Sequence, residues 1–370
     1  MKVILYIGHH KVGSTALQVF LSQNSHGLLR NGILYPAVDM QSFSHLLAKA
    51  MGAGDTPAYL PPNIREPHSA LAYRMMHESD GRPVPKQFKA LPDAAQMLHA
   101  IQCQITELKP KAVVLCSEAF ANFGEADPAL IPQLAGIFPE AEIELYCAFR
   151  RPDQYLVAWH GQRLKVNERL SPLREIGHRD YARNIHFDFR KAIEAWHEAL
   201  PQARLILRNY ADILAAGGSP QDFMAQTGLD WPGDLLPVGQ PNRSLPLAAM
   251  EIVRRANLEL PLPRAQQFSQ YMIRNAGKFA AEPDERIEMF APNDRARLLA
   301  DFHPIHVYLS ALAGVPAFFP DINEIAEPRP VPELQAVPGL LEQIVPGDMP
   351  APEIEAFVSN LQAEFRHGRA

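Results

Sequence analysis

Residues 2–23 constrain this chain more than any other stretch. Residues 2–7 (KVILYI) form an unbroken run of aliphatic, β-branched and aromatic side chains, which predicts a buried strand. The run stops at a turn over residues 8–14 (GHHKVGS). Residues 15–23 then place Leu17, Phe20 and Leu21 on one side of a helix. A buried strand that feeds a glycine-bracketed turn and then a helix is the opening of a βαβ unit.

The alternation resumes downstream. Residues 91–108 carry Leu98, Ile101, Ile105 and Leu108 at helical spacing. Apolar runs at 111–116, 143–149 and 204–207 predict three further strands, ending at Ser117-Glu118, Arg150-Arg151 and Arg208-Asn209. Pro152 opens a helix through Arg163, at a first-turn position where its missing N–H costs nothing. Phe189, Ile193, Trp196 and Leu200 mark another. The fold class is therefore α/β: a P-loop-like, mostly parallel sheet with helices on both faces and a helical C-terminal portion.

Two stretches break the pattern. Beyond a short helical patch at 45–50, residues 52–90 carry Gly and Pro with little periodicity and are expected as a surface excursion, of the kind that often serves as a lid. Residues 247–315 read as a helical subregion. From 321 to 370 a proline-punctuated tail ends in a short helix over 353–365. The expected division is one domain over 1–320 and a tail over 321–370.

Composition narrows the function. With 47% hydrophobic and 21% charged residues the chain can build an ordinary core, and a net charge of −6 argues against a nucleic-acid partner. Any anion site must be local. Cys103, Cys116 and Cys147 are scattered and lack metal-ligand spacing, which suits a reducing compartment. The apolar run at the N-terminus is too short for a secretory signal, and no stretch has the length to span a bilayer, so a cytoplasmic location is expected. Nothing in the pattern fixes an oligomeric state.

In strand-fed αβ sheets, ligands sit beyond the carboxyl ends of the strands, and here those ends carry cations and hydroxyls. The segment GHHKVGST has glycines that let a backbone approach an anion, and a helix N-terminus behind them whose amides and dipole favour negative charge. It is not a Walker A loop. The lysine, Lys11, stands two positions before Gly13 rather than directly before Ser14.

This loop resembles the 5′-phosphosulfate loop of the sulfotransferase superfamily, and most closely a bacterial branch opening roughly H-x-x-K-[TV]-G-[ST]-T-x-L-Q. Lys11, Gly13, Ser14, Thr15, Leu17, Gln18, Asn24 and the run from Gly32 through Ile33, Leu34 and Tyr35 to Pro36 carry the resemblance, densely over the first 36 residues and more weakly to about 315. It implies a sulfotransferase that uses 3′-phosphoadenosine-5′-phosphosulfate and needs no metal. It further implies that Lys11 faces the bridging oxygen of the leaving group, while His10, Val12, Gly13, Ser14, Thr15 and Ala16 surround the 5′ end. Family members clamp the 3′-phosphate with an Arg at a strand end and a Ser on the next helix. Arg150, with Arg151 beside it, matches the first. The second position is Ala158, which removes a hydrogen bond to a charged group of typically ~1.5–3 kcal/mol. Asn242-Arg243-Ser244 resembles a further stretch of the branch, although Ser244 also suits a helix N-cap.

The acceptor must lose a proton as the sulfuryl group arrives. Glu118, at the end of a strand, and His45, in SFSHLLAKA, are the rival candidates for the base; each also has a structural explanation, as a cap or salt bridge and as a packed ring. The resemblance implies a carbohydrate acceptor, with small molecules open. Two other readings stand beside it: a non-catalytic nucleotide-binding or scaffold protein on the same fold, which Ala158 favours, and a magnesium-dependent P-loop kinase, which would want an Asp at a strand end.

Overall fold

The computed structural model describes residues 1–52, 60–88, 90–239 and 245–367. It divides into two compact units. The first comprises 1–151, 188–241 and 305–319, and the second comprises 152–187, 242–304 and 320–370.

The first unit is built on five parallel strands in the order β2-β3-β1-β4-β5. They are β1 (Lys2–Tyr6), β2 (Ile33–Leu34), β3 (Ala112–Cys116), β4 (Glu142–Phe149) and β5 (Arg204–Asn209). The first strand is central: Tyr6 pairs with Cys116 on one side and Tyr146 on the other. Side chains alternate across the sheet, and both sides are dry. One face gathers Ile4, Tyr6, Val114, Cys116, Tyr146, Ala148 and Ile206 against Leu17, Phe20 and Leu21 of helix α1 (Ser14–Gln23). The other carries Val3, Leu5, Val113, Leu115 and Cys147, all without exposure, and at its edge Phe149 stacks on Phe189 at 5.1 Å. Strands buried on both faces read as continuous apolar runs, which is why their periodicity in the sequence is absent rather than alternating.

Four differences from expectation have physical causes. The strand at 33–34 is only two residues long, too short to register as a pattern. The helix expected around 189–200 is split into a 3-10 turn, Phe189–Ala192, and a helix, Glu194–Ala199, with Ile193 between them off helical geometry at φ −125°. Arg208 and Asn209 lie inside β5 rather than beyond it. The segment 52–90 is not merely a surface excursion. It contains a fourteen-residue helix, Pro67–Asp80, whose His68, Ser69, Ala70, Leu71, Ala72, Met75 and Met76 are buried. Its buried residues mix Leu71, Met75 and Met76 with His68, Ser69 and two alanines, which dilutes the apolar stripe by which such helices are recognised. Helix α2 (Met40–Ala50) precedes it, capped by Asp39, which accepts from the Ser42 amide at 2.7 Å.

The second unit is helical. It opens with Pro152–Lys165 and includes Met250–Glu259, Leu262–Asn275, the first half of Asp294–Ala313, Glu333–Leu341 and Pro352–His367. The proline-rich stretch is part of its core. Val337, Leu340, Leu341, Ile354, Val358 and Leu361 are buried, and Phe357 packs edge-on against Phe268 with centroids 5.6 Å apart. Its prolines punctuate helices instead of preventing them: Pro338 sits inside one and Pro352 begins another.

Candidate active site

The central strand does not end cleanly at Tyr6. Ile7 and His9 continue to donate to the Tyr146 and Ala148 carbonyls, at 2.9 and 3.0 Å, and so carry the backbone straight off the sheet edge. Gly8 is required here because a Cβ would lie 2.8 Å from the Tyr6 ring and 2.9 Å from the Ala148 amide. The chain then reverses. Lys11 takes φ 60° and Gly13 φ 85°. A non-glycine residue held in the left-handed region costs about 1–2 kcal/mol, and such strain collects where a loop is shaped for a ligand. The turn is pinned from below by Ser219, whose hydroxyl donates to the Val12 carbonyl at 3.1 Å. A Cβ on Gly13 would stand 2.1 Å from that oxygen.

Helix α1 starts at Ser14 with Gly13 at its N-cap and no side chain capping it. The Ala16 and Leu17 amides bond to the Gly13 carbonyl, so the N–H groups at the very start of the helix are those without an intrahelical acceptor. With the helix dipole behind them, they form an anion-binding end. Lys11, Val12, Gly13, Ser14, Thr15 and Ala16 are gathered in this turn. His10 is beside them, and burial together with the Lys11 charge pushes its ring down to about 4. It is therefore neutral at physiological pH.

The neighbouring strands complete the site. Beyond β3, Ser117 caps a 3-10 turn by accepting from the Ala119 amide at 3.0 Å, and that turn holds Glu118 in place. The Glu118 carboxylate receives a hydrogen bond from Gln18, whose Nε2 is 3.1 Å from Oε2, and His10 Nδ1 lies 3.9 Å from Oε1. Burial raises the Glu118 pKa above the ordinary carboxylate value, although Ser14, Gln18 and the Lys11 charge pull the other way. Beyond β4, the Arg150 guanidinium lies over the Tyr210 ring, 5.2 Å from its centroid, and Arg151 is 3% exposed. These groups follow β3, β1 and β4, three adjacent strands. Helix connections leave the sheet in opposite directions from its centre, so this is the crevice where such sheets take ligands.

The structure does not bring every candidate here. Arg208 is committed elsewhere: its guanidinium binds Asp222 through both nitrogens, at 2.6 and 3.0 Å, and Tyr146 donates to the same carboxylate at 2.5 Å. It is a structural cation. His45 is on α2 and lines a small cavity with Ser22, Ser25, Tyr35, Ser42 and Leu46. Its Nε2 has no hydrogen-bond partner among the described residues. Ala158 lies on the helix Pro152–Lys165. Asn242, Arg243 and Ser244 lie outside the described residues. Among those described, no three His, Cys, Asp or Glu side chains cluster as a metal-ligand set, and no helix is long and apolar enough to cross a membrane.

Sequence reasoning missed the polar scaffold beneath Glu118. Gln18 has no solvent exposure, and its Nε2 also faces the Ser69 hydroxyl at 3.0 Å and the Cys116 carbonyl at 3.3 Å. Ser69 in turn bonds Ser117 at 2.9 Å. His68 Nδ1 accepts from the Cys116 amide at 3.1 Å, which leaves Nε2–H to donate to the Pro36 carbonyl, also at 3.1 Å. Gln18 did leave a signal: a carboxamide one turn after Ser14, on the face that carries Leu17 and Leu21. His68 and Ser69 left none, being in a stretch whose apolar stripe is interrupted.

No protein-family model matches the chain, and no curated protein does. Among solved structures, a sulfotransferase from Alicyclobacillus acidocaldarius is similar at 14% identity, with 85% of this chain and 96% of that one covered and a TM-score of 0.41. A likeness this distant leaves the chemistry to be read from the chain's own residues.

Proposed function

We propose that this chain is a sulfotransferase that takes a sulfuryl group from 3′-phosphoadenosine-5′-phosphosulfate and passes it to a hydroxyl or amine, a carbohydrate hydroxyl first among them. The observation that carries the reading is the juxtaposition of an uncapped helix N-terminus and Lys11 with Glu118, an acid-base group 3.9 Å from His10 of the same turn and hydrogen-bonded to Gln18 of that helix. A kinase loop needs its cation and a metal-holding carboxylate. Here the carboxylate at the loop is bonded by Gln18, which supports its use as a proton acceptor rather than as a metal ligand.

The residues fit the nucleotide by chemistry. The loop amides and the Ser14 and Thr15 hydroxyls suit the 5′ phosphate, and Arg150 and Arg151 supply guanidinium groups for the 3′ phosphate. When bound, the cofactor supplies the activated sulfuryl group. Lys11 supplies positive charge where the departing phosphate gathers negative charge, a kind of preorganised stabilisation worth about 10²–10³ in rate. Glu118 takes the proton of the attacking hydroxyl, and its raised pKa makes it a stronger base than an exposed carboxylate. The missing hydroxyl at Ala158 makes the 3′ end depend on the arginines.

The test is transfer of labelled sulfuryl from the cofactor to a panel of carbohydrate and small-molecule acceptors, with Lys11→Ala as the control. We expect Lys11→Ala to lose about 10²–10³ of the turnover while its circular dichroism is unchanged. Undiminished transfer by that variant would contradict the role of Lys11.

A further inference from the structure

We infer that two side chains serve Glu118 with different fates: Gln18 is its permanent hydrogen-bonded positioning partner, whereas the Ser14 hydroxyl favours its ionised form only until an anion occupies the loop. The inference rests on the anion-binding reading of that loop.

The geometry separates the two side chains. Gln18 Nε2 faces three acceptors, Glu118 Oε2, the Cys116 carbonyl and Ser69 Oγ, all within 3.3 Å. Its Oε1 has no partner among the described residues, so the amide orientation is set by those acceptors alone. Being fully buried and tied to β3 and to the helix Pro67–Asp80, it has no second position to adopt. Ser14 differs. It is the first residue of α1, its hydroxyl rotates freely about one bond, and it stands where an anion at the helix N-terminus must lie. Lys11, the charge that most favours ionised Glu118, belongs to the same turn.

An anion in the loop draws both the Ser14 hydroxyl and the Lys11 charge away from Glu118, and adds a negative charge nearby. The other groups around the carboxylate do not compensate. His10 is neutral; Tyr6, Tyr35 and Cys116, all buried, and the half-buried Tyr73 are protonated; and Glu66, paired with Arg65, is a like charge. Glu118 thus becomes more basic when the loop is filled, so binding takes up a proton and weakens as pH rises. The base is strengthened when the donor substrate is present.

Isothermal titration in two buffers of different ionisation heat, between pH 5 and 7, measures the uptake. The probes are adenosine 3′,5′-bisphosphate and inorganic sulfate. We expect the wild-type chain to take up a few tenths to about one proton per anion. In Glu118→Gln this falls to near zero, and in Ser14→Ala it falls to less than half. Gln18→Met should move the acidic limb of the kcat–pH profile upward. If Gln18→Met does not fold, the titrations with Glu118→Gln and Ser14→Ala still decide. Uptake with sulfate but no response to the bisphosphate supports the coupling and removes the nucleotide reading. Bisphosphate binding without uptake, or with the same uptake in Glu118→Gln, overturns the coupling and leaves the nucleotide reading standing. Failure of either anion to bind overturns both.

Discussion

Gln18 Nε2 donates to Glu118 Oε2 across 3.1 Å, from a side chain that solvent does not reach. One helix therefore does two things: its N-terminus faces the proposed anion site, and its second turn holds the carboxylate proposed as the base. The elements carrying these groups cannot shift independently, because Gln18 is also bound to the backbone of β3 at Cys116. Preorganisation of this kind lets a modest set of side chains act on a reaction that is mostly positioning and charge.

Glu118→Gln keeps the shape and an oxygen for the Gln18 bond while removing the base. Turnover should fall by about 10²–10⁴, whereas His45→Asn, altering a ring in a separate cavity, should stay within about twofold of wild type. Stability moves the other way. The folded pKa of Glu118 lies above its unfolded value, so its contribution is fully present below the unfolded value and is lost as pH rises through the folded one. Glu118→Gln should therefore gain on wild type in denaturant midpoint as pH rises toward neutrality. A wild-type turnover in Glu118→Gln would end its role.

His68 sets an acid limit on the fold. It is fully buried, and burial lowers its pKa from 6.5 to about 3 despite hydrogen bonds to Pro36 and Cys116. A depressed histidine stabilises the fold above its unfolded value, and that contribution is lost as pH falls from about 6.5 toward about 3. His68→Phe should flatten this slope in urea titrations. At neutral pH it should cost about 1–3 kcal/mol, because the Cys116 amide loses its acceptor. An unchanged slope would show that the ring is not neutral inside the fold.

Arg208→Ala should be destabilising without touching the chemistry. Asp222 is 0% exposed and takes hydrogen bonds from Arg208 and Tyr146, so removing the guanidinium strands a buried carboxylate, at about 3–5 kcal/mol. Below the melting transition, turnover per folded molecule should match wild type. A specific loss of kcat would return Arg208 to the site.

The strands at 2–6, 112–116, 142–149 and 204–209 and the turn before α1 were legible because each is a short apolar run closed by a polar break, a pattern that burial on both sheet faces imposes. The placement of Lys11, Glu118 and Arg150 beyond three strand ends was legible for the same reason: they stand where the runs stop. What the pattern could not carry was side-chain commitment. Arg208 looks like Arg150 in sequence, and only the fold brings Asp222 to it from fourteen residues away. His68 and Ser69 sit in a helix where polar and small residues interrupt the buried Leu71, Met75 and Met76, so the periodicity does not mark them as buried. The compact units interleave three segments each, a division that no local signal along the chain announces.

The most direct measurement is the melting temperature of the purified chain with adenosine 3′,5′-bisphosphate and no divalent metal, beside ATP with Mg²⁺. At about a hundredfold excess over its dissociation constant, a ligand specific to the folded state contributes ~2.7 kcal/mol. The account predicts a rise of several degrees with the bisphosphate, most of it lost in Lys11→Ala and Arg150→Ala. A chain that ignores the bisphosphate, or that is stabilised only by ATP with Mg²⁺, would contradict it.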